Sequence, residues 1–255
     1  MNTNLCIKND ASYHDMYYMN PPAKDLSKIA SSDKVKKVQK DFEATHVRPQ
    51  RLMKTLFTDE AYVKANVDEA RLMRRLFDLA CNMQSHDTDM QLYSLFTDEE
   101  CYDLWSCNNL YWYLTHACSP VTDGLMPYRE ADLLRNILDR ADAALKEGKN
   151  QATLRFGHES CLLPLVALLE LNHYGESYPD VEKLSEQWRA YDIFPMASNV
   201  QFVFFHKKGS NDVLVKVLLN EKEAKLPVKT DVAPYYHWKD VESYYREKLD
   251  KYQHI

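Results

Sequence analysis

Residues 154–165 read "LRFGHESCLLPL", and how this stretch folds decides the rest of the chain. A charged His158-Glu159 pair stands between two apolar runs, directly after Gly157, one of only five glycines in the protein. The preceding "ATLRF" (152–156) predicts a short strand, and Gly157 a flexible turn. The following "CLLPLVALLELN" (161–172) is almost entirely apolar and predicts a helix buried on most sides. Strand, glycine and helix in that order put the pair at the carboxyl end of a strand and the amino end of a helix. In open α/β sheets ligands bind in that crevice. Unpaired N–H groups and the helix dipole favour an anion there.

In this position the His158 imidazole can donate to a phosphate oxygen. A neighbouring carboxyl can act as a general acid if it keeps its proton, and burial or a nearby phosphate dianion both work in that direction. The same residues fit a second, non-catalytic reading, in which His158 is a packing residue and Glu159 with Ser160 caps the helix. The residues alone leave the two open. Pro164 also has two readings. In a helix starting near Ser160 it removes one early hydrogen bond; in a helix starting two or three residues later it suits the first turn.

Outward from this stretch, the chain divides into a mostly helical region (1–150) and a strand–helix–hairpin region closed by a helix (151–255). The first twenty or so residues are polar and aromatic and read as irregular, and 24–44 is charged and helix-permissive. Residues 59–84 carry Leu72, Leu76, Leu79 and Met83 at helical spacing. Thr97 followed by Glu100 has the capping-box pattern and marks a helix start. Residues 128–150 form the clearest amphipathic pattern, with a stripe of Leu133, Leu134, Ile137, Leu138, Ala141 and Leu145 and a stop at Gly148. "NVQFVFFHKK" and "DVLVKVLLN" predict two strands joined by a turn at "KKGSN", and "WKDVESYYREKLDKY" predicts a terminal surface helix. About three strands follow Gly148, fewer than a mixed α/β sheet usually has.

At 255 residues and 45% hydrophobic, the chain can bury a sizeable core, and its net charge of −6 shows no nucleic-acid footprint. No apolar run approaches the length of a membrane span, and the start lacks the basic and apolar regions of a signal peptide. The six cysteines (6, 81, 101, 107, 118 and 161) form no CxxC pair; they read as small buried thiols, and neither zinc nor any cofactor is expected.

"LRFGHESCLLPLVALL" resembles the C-terminal signature of the histidine acid phosphatases (clade 2), above all the multiple inositol polyphosphate phosphatase branch, which carries "FGHAETLLPLL". "IFPMASNVQFVFFHKK" and "VLVKVLLNEKEAKLP" resemble that branch's "P-x-A-S-N" strand and "LLNE" segment. The resemblance runs from about 153 to 227. It implies an α/β fold: the C-terminal portion of a phosphoglycerate-mutase-like fold, with a largely helical first half and an incomplete sheet. It further implies a phosphomonoesterase acting through a phosphohistidine on a phosphorylated small molecule such as an inositol phosphate. By that resemblance His158 is the second phosphate-contacting histidine and Glu159, directly after it, the proton donor. Ser160 occupies the place of the acid in the inositol polyphosphate branch. His158, Ser160 and Arg155 are the residues expected at the substrate, Arg155 facing either the site or solvent.

The family's nucleophile motif, "RHGxRxP", is not in the sequence, which has no His-Gly dipeptide at all. "THVRPQR" (45–51) and "SHDTD" (85–89) imitate family motifs but lack the strand before and the apolar helix after, and both read as solvated surface. The missing strands and the nucleophile are therefore expected in an upstream N-terminal half, and so is any export signal, since relatives of this family are commonly exported. The alternative function is a truncated, inactive relative serving as an anion-binding or interaction module.

Overall fold

The computed structural model describes residues 24–148 and 151–252; the irregular start and Cys6 lie outside the described residues. Eleven described helices are α1 (Lys24–Ala30), α2 (Asp33–His46), α3 (Gln50–Leu56), α4 (Glu60–Asn66), α5 (Glu69–Asn82), α6 (Asp98–His116), α7 (Ala131–Glu147), α8 (Glu159–Leu168), α9 (Leu184–Gln187), α10 (Ala190–Ile193) and α11 (Trp238–Tyr252). The described strands are β1 (Val200–His206), β2 (Val213–Leu219), β3 (Lys222–Glu223) and β4 (Tyr236–His237).

Local chemistry accounts for the helix boundaries. The Asp59 and Asp68 carboxylates accept from the N–H groups of Tyr62 and Arg71, so the single helix expected over 59–84 is two, α4 and α5, parted at the extended Val67. On α5 the fully buried positions are Met73 and Ala80, with Leu79 half exposed. The buried face thus lies one residue on from the predicted stripe, because it follows the contact with α3 and α6. The Thr97–Glu100 capping box is present in full at the start of α6. The stripe on α7 is observed, but the helix starts at Ala131, after a 3-10 turn over Met126–Glu130 that Pro127 opens. Gly148 closes α7 in the left-handed conformation, where glycine has no Cβ penalty.

The sheet is antiparallel. β1 and β2 pair over their full length, with Val203 opposite Lys216, and the hairpin closes at Gly209 with φ 82°. The two-residue strands β3 and β4 pair with β2 near its two ends. Val215, Val217 and Leu219 alternate inward on β2. They meet Val241, Tyr245 and Leu249 of α11, so the terminal helix expected on the surface is docked on the main core. That core joins α2, α6, α7, α8, the sheet and α11, while a second core of Leu52, Met53, Val63, Met73 and Leu104 lies between α3 and α6.

The strand expected over 152–156 is not formed. The segment has no regular secondary structure and pairs with no strand among the described residues, leaving Leu154 70% and Phe156 86% exposed. An extended apolar segment becomes a strand only when a neighbour takes its N–H and C=O groups. Gln151 and Arg155 instead tether it to α7, donating to the Ala144 carbonyl at 3.2 Å and to Asn136 Oδ1 at 2.6 Å.

Candidate functional site

His158 is the N-cap of α8, with extended backbone at φ −110° and ψ 164° and no side-chain cap bond. Its carbonyl accepts from the N–H groups of Cys161 and Leu162 at 3.0 and 3.1 Å. Among the described residues the N–H groups of Glu159 and Ser160 have no such backbone partner, as the first turn of any helix leaves them. The helix starts before Ser160, so Pro164 stands in its second turn and the Ser160 carbonyl forgoes an intrahelical bond.

The far end of α8 is held by α11. Lys248 Nζ donates to the Leu168 carbonyl at 2.8 Å and Tyr245 Oη to the Leu169 carbonyl at 2.7 Å. A cation at a helix C-terminus stabilises by about 0.3–1 kcal/mol. Leu163, Pro164, Val166 and Leu168 are buried along the body of the helix. α8 is thus fixed at its body and C-terminus while its N-terminus projects an exposed His158 and Glu159.

Neither the His158 nor the Glu159 side chain makes a hydrogen bond or ion pair among the described residues. The burial expected around the acid is absent, since both side chains are exposed. Ser160 is half-buried beside them. Arg155 is half-buried between the exposed Leu154 and Phe156 and is held by Asn136 on α7. Arg48 and Arg51 are committed elsewhere. Arg48 Nη2 bonds Glu99 at 2.8 Å and Asp103 at 2.5 Å, and Arg51 grips Glu100 through both Nε and Nη2. The 45–51 stretch is therefore not simply solvated surface: Val47 and Pro49 are buried and both arginines are paired. The 85–89 stretch is exposed throughout, as expected. Of the described cysteines Cys161 is buried, while Cys81 is exposed and does not fit the expected pattern.

Beneath the first turn of α8 lies a group of side chains that sequence patterns did not single out. Glu130 is 2% exposed and its Oε2 has no hydrogen-bond partner. Burial pushes its carboxyl up to about 8. Burial likewise pushes the Cys161 thiol up to about 11 and His116 down to about 4, Arg129 adding to the depression of His116. The only signal in the sequence is "YRE" at 128–130, which resembles any helix start.

The two other motifs, "PMASN" and "LLNE", meet at one corner. The Asn220 N–H donates to the Asn199 carbonyl at 2.9 Å, the Asn199 N–H to Asn220 Oδ1 at 3.1 Å, and Asn199 Nδ2 to Glu221 Oε1 at 3.2 Å. Ala197, Asn220 and Glu221 have φ between 51° and 64°. These residues border a cavity of about 510 Å³ reaching Asn172 and Tyr191. No helix of the described residues is long and apolar enough to cross a membrane.

The family model of the histidine phosphatase superfamily (branch 2) matches residues 6–220. The chain is 28% identical over 134 residues to human multiple inositol polyphosphate phosphatase 1, across 48% of this chain and 27% of the human protein. Its fold is similar to that of the multiple inositol polyphosphate phosphatase of Bifidobacterium longum. The phosphate complex of that protein matches with a TM-score of 0.60 at 19% identity, over 95% of this chain and 60% of the other. Its inositol hexasulfate complex gives 0.56 at 18%, over 93% and 58%. The chain spans less than two thirds of the length of each of these relatives.

Proposed function

Because the chain belongs to the histidine phosphatase superfamily (branch 2), we propose that it supplies the phosphate-binding and proton-donating side of a phosphomonoesterase site. The substrate is a phosphorylated small molecule, and an inositol phosphate is the class that the names of its relatives favour. The observation that carries this is the start of α8, where His158, Glu159 and two unpartnered N–H groups stand together on a rigidly held helix. In this reading His158 and the N–H groups hold the phosphoryl oxygens. A histidine nucleophile attacks phosphorus, an N–P bond forms and the ester P–O bond breaks. The leaving oxygen takes its proton from Glu159, and water then attacks the phosphohistidine to release phosphate. Ser160 borders the phosphate, and Arg155 anchors the segment that leads into it.

The sequence has no His-Gly dipeptide, so the nucleophile comes from an N-terminal half that pairs with residues 151–158. Docking of that half also supplies the burial that Glu159 lacks. Residues 24–148 form the helical side of the site and 151–252 its core side. We expect the chain alone to release no phosphate from p-nitrophenyl phosphate or phytate. Turnover by the chain alone that is abolished in His158→Ala would overturn the need for a partner.

A further inference from the structure

The 3-10 turn over Met126–Glu130 packs along α8 and also touches α6. It carries Arg129, which is half-buried and among the described residues makes no hydrogen bond or ion pair. A guanidinium drawn from solvent is normally paired. Arg129 acts on His116, Glu130 and Cys161 alike, so it lies where the end of α6, the turn and the first turn of α8 converge. Within the buried part of that group nothing offsets it, and the carboxylate that also acts on Cys161 is the exposed Glu159. His116 and Cys161 are buried as neutral groups, and Glu130, fully buried with an unpartnered oxygen, keeps its proton at neutral pH.

Arg129, without an ion-pair partner, therefore stands near the positive end of the α8 dipole, where the exposed Glu159 is the one acidic side chain of the first turn. Two like fields at one place favour the binding of an anion there, in addition to that carboxylate. The unpartnered Glu130 oxygen, buried against the same turn, is a second mark of polar capacity held for something outside the present contacts.

We infer that Arg129 is a further phosphate-holding residue of the α8 site, binding an oxyanion together with His158 and the free N–H groups of Glu159 and Ser160. This rests on the phosphomonoesterase reading above and adds to it a cation from the helical region. Glu130 is a positioning residue: as a neutral acid it leaves the guanidinium free, whereas ionised it would capture it.

The test is an NMR titration of the full chain with inorganic phosphate. Saturable shifts are expected at the Glu159 and Ser160 amides and at the Arg129 side-chain Nε–H. Arg129→Met should weaken phosphate binding by about tenfold, the usual scale for one charge-assisted hydrogen bond. Arg129→Lys should retain part of it, and Arg75→Met, on the exposed face of α5 where Arg75 pairs with Asp78, should bind as wild type. If His158→Ala weakens binding but Arg129→Met does not, Arg129 has no such role and the α8 reading stands. If phosphate shifts no α8 amide, both fail. The Arg129 Nε–H of the wild type gives the answer even if Arg129→Met does not fold: absence of a shift there at saturation overturns the inference.

Discussion

The side chain of Asn220 accepts from the Asn199 N–H at 3.1 Å and donates to the carbonyls of Asp192 and Ile193 at 3.3 and 3.1 Å, while its own backbone stands at φ 51°. Asparagine tolerates the left-handed region better than other residues with a Cβ, so one side chain meets both demands. Asn220→Ala removes three bonds and adds strain, and should cost about 2–3 kcal/mol in urea unfolding. Asn220→Gly relieves the strain but loses the bonds, and should cost less. An alanine variant within about 0.5 kcal/mol of wild type would show that the corner does not depend on this residue. The sequence carries Asn199 and Asn220 as parts of two motifs, yet nothing in either motif says that they bond, because 21 residues separate them. The place of His158 and Glu159 at a helix start was legible for the opposite reason, since it depends only on the apolar run that follows, whereas the strand expected before them is not formed.

Helices with local signals were readable, and the segment that depends on a distant neighbour was not. The α6 capping box, the α7 stripe and the β1–β2 hairpin are each specified within a few residues, and each is observed. Residues 152–156 have the composition of a strand but no pairing partner among the described residues, and pairing, not propensity, makes a strand. The α5 face slipped by one residue because tertiary contact, which periodicity cannot register, selects among neighbouring apolar positions. An unpaired segment with Leu154 and Phe156 both exposed is an open template for association. Replacing both by serine should leave the melting temperature within about 2 °C of wild type, since exposed substitutions cost about 0.5 kcal/mol or less. The same double variant should reduce concentration-dependent association in sedimentation velocity. Unchanged association would mean that the contact lies on another face.

For the molecule as a whole, two buried groups set opposing pH dependences. Glu130 has its folded value raised from 4.5 to about 8, so the stability linked to its proton is complete below 4.5 and is lost as pH rises towards 8. His116 has its folded value lowered from 6.5 to about 4, so its contribution is complete above 6.5 and is lost as pH falls towards 4. Between about 4.5 and 6.5 the unfolded chain binds one proton more at His116 and one fewer at Glu130, and the two slopes cancel. The stability curve should therefore be flat across that window. Above 6.5 only Glu130 acts among the two, and His237, raised by its contacts with Asp212 and Asp231, works in the same direction. From pH 6.5 to 8 the Glu130 part is about 2 kcal/mol, or about 4–8 °C in melting temperature. Glu130→Gln removes the ionisation while keeping the shape. In that variant stability should rise from pH 4 to 6.5 as His116 loses its competing partner, and the alkaline decline should shrink to the His237 part. A wild-type curve that climbs steadily through pH 5–8 would mean that Glu130 is ionised in the folded protein, and with it would go the unpaired charge on Arg129.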